Sequence, residues 1–311
     1  MVAINQIARN GDRLNTSLNL EASGIRTVSD PLEAAANTII VLDHEPGDVP
    51  QAASMGLKDY VISENKAVVR YDRVVLALSR KLLDQTQYKL YAAQRAYVAT
   101  NFIRLVDKGA QLARSIGDFE LAEAFQSNLN DELGVGPDGK RYEELDHRVW
   151  KTNYLLALGL KADLKGFPLL SETRAHVNAF LEIEATGTLL NIAGTILSLE
   201  NIIPLEYRAA VSSRDHLFPE IFCISPNDDA QTRQKKEIAR QYLNDHIIHD
   251  SKSHFPQLLQ ALLKYEGDAK AMEELRAGID IVNIHRKRFY KELGMAMQLY
   301  PRDMEYYTYG S

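Results

Sequence analysis

Residues 72–102 read DRVVLALSRKLLDQTQYKLYAAQRAYVATNF. Val74, Val75, Leu78, Leu82 and Leu83, then Tyr91, Ala92, Ala96, Val98 and Phe102, recur three and four positions apart. That spacing puts apolar side chains on one face of a helix or of a pair of helices. The same pattern predicts further helices over 119–133, 145–158, 169–199, 205–212, 233–263 and 269–293. Between them stand plausible stops at 134–139, 159–168, Pro204, 219–229, Pro256 and Gly267. Strand-type alternation never persists beyond about five residues, so the body reads as all-α with no sheet. Residues 1–65 differ. They hold Gly11, Gly24, Pro31, Pro46, Gly47 and Pro50 and the β-branched run at 38–41, and read as an irregular N-terminal arm packed on a helical domain of residues 66–311. Asp30-Pro31 is a helix-start pair within the arm, and the run from Tyr300 to Tyr309 reads as a docked tail.

Composition narrows the function classes. Hydrophobic residues make up 45% of the 311 and charged residues 25%, which excludes a disordered chain. With 36 Lys and Arg against 42 Asp and Glu the net charge is -6, unsuited to nonspecific nucleic-acid binding. Apolar runs such as 38–42 and 202–205 fall far short of the roughly eighteen residues of a membrane span, so no membrane partner is expected. The single cysteine, Cys223, excludes an internal disulfide. Met1 is not followed by a basic and then apolar segment, so no secretory signal is expected and the setting reads as reducing and cytoplasmic. The abundant apolar helix faces point to a homodimer.

Three places combine unusual polar residues with helical pattern. In Asp245-His246-Ile247-Ile248-His249-Asp250-Ser251-Lys252-Ser253-His254, positions 246, 250 and 254 fall within about 80° of one another on a helix. That face could grip a metal, or be a solvated polar stripe. Glu132 precedes Gly134 at a helix C-terminus, where the dipole disfavours an acid and favours a neighbouring cation; simple exposure is the alternative. Glu200 lies in the almost wholly apolar stretch from Ala193 to Pro204. A buried carboxylate there costs several kcal/mol unless paired or metal-bound, with Arg208 as the structural partner to weigh. Carboxylates and imidazoles without thiolate suit iron or manganese, with zinc a further choice. Carboxylates and histidines on facing helices are how dinuclear, dioxygen-activating sites are built.

The order of these motifs resembles the haem-oxygenase-like dimetal oxidase superfamily, and within it the CADD-like proteins (Chlamydia protein associating with death domains), related to the TenA/PqqC-like helical fold. The resemblance runs from about Leu83 to Leu293. It implies a haem-oxygenase-like helical bundle with metals between the helices. It also implies an oxidase or oxygenase in which two iron ions, or manganese, activate dioxygen to oxidise a small organic substrate. Electrons would come from an external donor. Carried over residue by residue, it selects Glu132. It also selects His147, which opens a segment ending in Leu158-Gly159, and Glu200 with Pro204 four residues on. His246 and Asp250 match the closing His-x-x-x-Asp-x-x-His segment. That segment would place its last histidine at Ser253; this chain has His254, a spacing found in alkene-forming members, and His249 is the alternate. A long insert separates Glu132 from His147, which makes Glu144 the alternate for the first carboxylate. Ala210 stands where members that consume their own tyrosine carry lysine. Tyr142, Tyr154, Tyr207 and Tyr242 lie near the selected residues in sequence.

Other readings fare worse. Haem binding would need a histidine between Asp72 and Ile116, which holds none. Cys223 lies outside the helices that carry the other candidates, against a thiol-dependent hydrolase. The glycines at 134, 136 and 139 before Lys140 lack the Ser or Thr of a phosphate loop and read as a flexible turn. The competitor from another class is a non-catalytic helical protein that binds a small ligand or a protein partner.

Overall fold

The computed structural model describes residues 55–70 and 72–299, and most of them are helical. In chain order these are α1 (Leu57–Val69), α2 (Arg73–Ser79), α3 (Gln85–Val98), α4 (Phe102–Ser115) and α5 (Phe119–Glu132). A ribbon of β1 (Leu133–Val135) and β2 (Arg141–Asp146) precedes α6 (His147–Ala157), α7 (Ser171–Thr186), α8 (Leu189–Leu217) and the single turn α9 (Pro219–Phe222). Then come α10 (Ala230–His249), a π-helical turn (Asp250–His254), α11 (Phe255–Leu262) and α12 (Ala269–Ala296). Many starts are capped by a side-chain oxygen accepting from the first turn: Asp72, Asp84, Asp118, Asp146, Thr188, Asp229 and Asp268. Each such cap contributes about 1 kcal/mol.

The architecture is helix on helix around α8, whose 29 residues span about 44 Å. Leu197, Leu199, Ile202, Tyr207 and Ala210 of α8 are all buried, so it is apolar on nearly every side. It packs most extensively on α12, with α10, α2 and α1 around it. The α8–α12 crossing is tight because both helices supply glycine there. A Cβ on Gly194 would sit 2.1 Å from the Leu275 carbonyl oxygen, and one on Gly278 equally close to that of Asn191. No helix among the described residues is long and apolar enough to cross a membrane.

Several boundaries differ from those read in the sequence. Most of the expected arm, residues 1–54, and the expected tail from Tyr300 lie outside the described residues. The arm's last residues belong to α1, which continues past 65 because Leu57, Val61 and Val68 are buried against α8 and α12. The region expected to be a flexible turn is the β1–β2 ribbon, pairing Leu133 with Asp146 and Val135 with Arg141. So short a ribbon escapes an alternation criterion. Its register needs Gly134, at φ +66°, where a Cβ would meet the Tyr142 oxygen at 2.5 Å. The span 169–199 breaks at Gly187, between α7 and α8. Pro204 lies inside α8 rather than ending it. It leaves the Glu200 carbonyl without its helical donor, but buried residues on both sides hold the helix in place.

Candidate metal centre

Four helices and one irregular turn deliver the six selected side chains. Glu132 ends α5, and His147 is the first residue of α6, fixed by the Asp146 cap that accepts from the Arg148 N–H at 2.9 Å. Glu200 comes from mid-α8 and His246 from the last turn of α10. Asp250 and His254 bound the π turn. The turn resolves the odd spacing of the histidine motif. Its bond from the Phe255 N–H reaches back to the Asp250 carbonyl, an i to i+5 closure that carries more than four residues per turn. The extra residue is absorbed and His254 stacks back over Asp250.

The side chains form two triads. Glu132, His147 and His246 make one, Glu200, Asp250 and His254 the other, and within each the three nearest ligand atoms lie within 4.8 Å of one another. In the first, Glu132 Oε1 is 3.1 Å from His147 Nδ1 and 3.7 Å from His246 Nε2. In the second, His254 Nδ1 is 3.4 Å from Glu200 Oε2 and 3.5 Å from Asp250 Oδ1. All six are buried; Glu200 is 1% exposed and Asp250 2%. Arg208, the alternative partner of Glu200, is exposed, and Glu200 pairs instead with Asn128 and His254.

Neighbours orient the donors. The Tyr242 carbonyl holds His246 Nδ1 at 2.7 Å, which leaves Nε2 facing Glu132. Asp131 holds His254 Nε2 at 2.8 Å, which leaves Nδ1 for Glu200 and Asp250. This is the pattern in which a second partner fixes the tautomer of a metal-binding imidazole. Asn128 donates to Glu200 Oε1 at 2.5 Å, and Trp150 stacks on His147 at 4.3 Å.

The electrostatics suit a cation. Burial alone would raise the Glu132 carboxyl, but the facing His147 and His246 hold it down at about 2. Burial, with help from His147, pushes His246 down to about 3, so its ring is neutral and able to donate a lone pair. Burial and the adjacent Glu200 drive Asp250 well above the usual carboxylate range. His254 is raised despite burial, because Glu200, Asp131 and Asp250 surround it. Protons thus stand where positive charge is needed. Glu200 Oε2, Asp250 Oδ2, His254 Nδ1 and His147 Nδ1 are buried without a hydrogen-bond partner. Buried polar atoms are rarely left so; His147 Nδ1 faces Glu132 and His254 Nδ1 faces Glu200 at ion-pair distance, as within a ligand set. The donors therefore fit iron or manganese.

A cavity of about 320 Å³ lies alongside, and Glu132, His147, Glu200, His246 and Asp250 reach its wall. Phe102, Phe180 and Ile203 form part of its apolar side.

No protein-family model and no curated protein matches this sequence. Among solved structures it is similar to a CADD-like protein of unknown function from Nostoc punctiforme. One structure of that protein superposes at TM-score 0.55, with 13% identity over 86% of this chain and 98% of that one. A second gives 0.53, with 14% identity over 86% and 96%. A TenA homologue from Pseudomonas syringae pv. tomato superposes at 0.59, with 15% identity over 81% of this chain and 98% of that one. The chain has the all-helical haem-oxygenase-like fold.

Within this haem-oxygenase-like bundle the two alternates stand apart from the triads. Glu144 is exposed on β2, where its carbonyl accepts from Trp150. His249 groups with Asp131 and His254 on the outer side and is exposed. Tyr154, Tyr207 and Tyr242 are buried, and the last two touch the His246 ring. Tyr142 lies on the ribbon and donates to Asp138. Sequence reading passed over Asn128 and Asp131. Asn128 stands one turn before Glu132, a spacing that shares a helix face and was the available signal. Asp131 had none, because its partner is 123 residues away.

Proposed function

We propose that this protein is a metal-dependent oxidase or oxygenase that holds two iron ions and uses dioxygen on a small organic substrate. The observation that carries the reading is the pair of buried triads, Glu132/His147/His246 and Glu200/Asp250/His254, facing one cavity. Manganese suits the same donors. Bound iron would supply the redox chemistry with dioxygen, with electrons from an external donor because Cys223 has no second thiol to cycle with.

The chain's own residues set the conditions. The Tyr242 carbonyl fixes the tautomer of His246 and Asp131 orients the His254 ring, whose inner Nδ1 would release its proton on binding a cation. Asn128 holds one oxygen of Glu200 and leaves the other for a cation. The apolar wall limits water beside the carboxylates, which strengthens their interaction with positive charge. A homodimer belongs to the same reading and is checked by light scattering.

The test is anaerobic reconstitution of the chelator-stripped full chain with ferrous iron. Two irons per chain, a raised melting temperature and a transient visible absorption on mixing with oxygen are expected. No stoichiometric metal and an unchanged melting temperature would overturn the proposal and favour a non-catalytic small-ligand binder.

A further inference from the structure

His254 has a second face that the triads do not use. Its Nδ1 points inward, 3.4 Å from Glu200 and 3.5 Å from Asp250. Its Nε2 points the other way, 2.8 Å from Asp131 Oδ2. His249 joins them there, and one ligand atom each from Asp131, His249 and His254 lies within 4.8 Å of the other two.

The π turn assembles this outer group as well as the inner one. On a regular α-helix, residues five apart point about 140° away from each other. The i to i+5 closure over Asp250–His254 brings 249 and 254 to one side, with ring centroids 6.2 Å apart. His249 is exposed and Asp131 half-buried, whereas the His254 side chain is 1% exposed. The group therefore has one donor anchored in the core and two that reach solvent. Orienting His254 requires only Asp131, and neither His249 nitrogen is hydrogen-bonded among the described residues.

Two imidazoles and one carboxylate, with a fourth position open to water, make the donor set of a three-ligand zinc site. Bonds of about 2.0–2.1 Å in a tetrahedron set the donors about 3.4 Å apart. The group brackets that value, from 2.8 Å between Asp131 and His254 to the 4.8 Å limit. Asp245, one turn before His249, adds negative charge nearby.

We propose that Asp131, His249 and His254 form an outer site for a zinc-class divalent cation, and that its occupation takes His254 away from the inner centre. A neutral imidazole has one lone pair for coordination. When Nε2 binds an outer ion and releases its proton, Nδ1 keeps its own and donates to Glu200 and Asp250. The second triad is then left with two carboxylates and no nitrogen donor. When Nδ1 binds an inner ion instead, the proton stays on Nε2 and Asp131 accepts from it. One ring makes the two sites mutually exclusive, so outer zinc inhibits inner metal loading. The competition rests on the metal-centre reading; the outer site does not.

The outer site is tested on the chelator-stripped full chain with zinc ions as the probe. Zinc is expected to protect His249 from diethyl pyrocarbonate, read by peptide mass spectrometry, while exposed His216 stays reactive. His249 belongs to neither triad, so zinc held only in the triads leaves it reactive. Equal modification of His249 with and without zinc would overturn the site, and this comparison needs no variant. The competition is tested on chain loaded anaerobically with ferrous iron. Zinc is expected to release one of the two irons from wild type, and His249→Gln to need at least about tenfold more zinc for the same loss. Equal sensitivity of the two proteins would mean that zinc acts at the triads directly. Both irons kept beside a protected His249 would mean a ring that bridges two ions, and either result overturns the exclusion. If no iron loads, the metal-centre reading fails and the protection assay still decides the outer site.

Discussion

Glu200→Gln separates a metal-binding carboxylate from half of a structural ion pair, because the two roles give opposite signs in metal-free protein. The His254 Nδ1 to Glu200 Oε2 contact at 3.4 Å is a gross attraction of about 5 kcal/mol at an effective dielectric of about 20 when the imidazole is charged. Against it stands Asp250, whose ligand oxygen lies within 4.8 Å of that of Glu200. That is a repulsion of at least about 3 kcal/mol on the same scale, or the cost of keeping Asp250 protonated. Desolvating Glu200 adds several kcal/mol. Gln keeps the shape and can still accept from Asn128, and His254 retains Asp131 at 2.8 Å and Asp250 at 3.5 Å. The metal-free variant is therefore expected to be more stable than wild type by about 1–3 kcal/mol. At about 2–4 °C per kcal/mol for a large domain, the melting temperature should rise by roughly 2–12 °C. Ferrous iron at a hundred times its Kd should stabilise wild type by about 2.7 kcal/mol per site, whereas the variant should gain less and hold one iron instead of two. Scanning calorimetry with and without iron, paired with metal analysis, reads both effects. A metal-free variant that melts lower and still binds two irons would refute the reasoning.

Three further outcomes are expected. Asp131→Asn should weaken iron binding about 10–100-fold through loss of the His254 tautomer, measured by chelator competition, and unchanged affinity would remove Asp131 from the orienting role. Glu144→Gln and His249→Gln should each retain two irons by metal analysis, since Glu144 lies off the cavity and His249 belongs to neither triad. Asp72, half-buried at the start of α2, has its carboxyl raised from 3.8 to about 7. The folded state then holds a proton that the unfolded chain has released, so this contribution is complete below pH 3.8 and is lost as pH rises through about 7. Asp72→Asn keeps the cap and should flatten the fall in melting temperature between pH 5 and pH 8; an identical slope in both proteins would contradict the assignment.

Much of the site could be read from local pattern because its chemistry is locally improbable. Glu200 stands out as a carboxylate in an apolar helix, and His246, Asp250 and His254 as a polar stripe beside buried Tyr242 and Leu243. The physical cost of placing such groups in a core is large enough to show in one sequence. Arg95 and Glu206 are equally buried but drew no notice, since each is ordinary within its own segment. Their partners lie on other helices: Arg95 pairs with Glu206, and Glu206 with Arg286, 80 residues beyond it. Pro204 misled in the other direction: as a local signal it ends a helix, but the packing of α8 outweighs one missing hydrogen bond.

The sequence by itself determined that the body is helical, because apolar spacing and capping residues act within a few positions of one another. It also marked Glu132, Glu200 and the stripe of His246, Asp250 and His254, while His147 came only from the family resemblance. Only the tertiary structure decided how they divide into two triads and which ring nitrogen faces inward. It alone decided that a π turn absorbs the extra residue before His254 and that two arginines share one carboxylate across the cavity. Those features depend on contacts between residues far apart in the chain, where the net charge of a buried cluster and the absence of a partner exist only once the helices have packed.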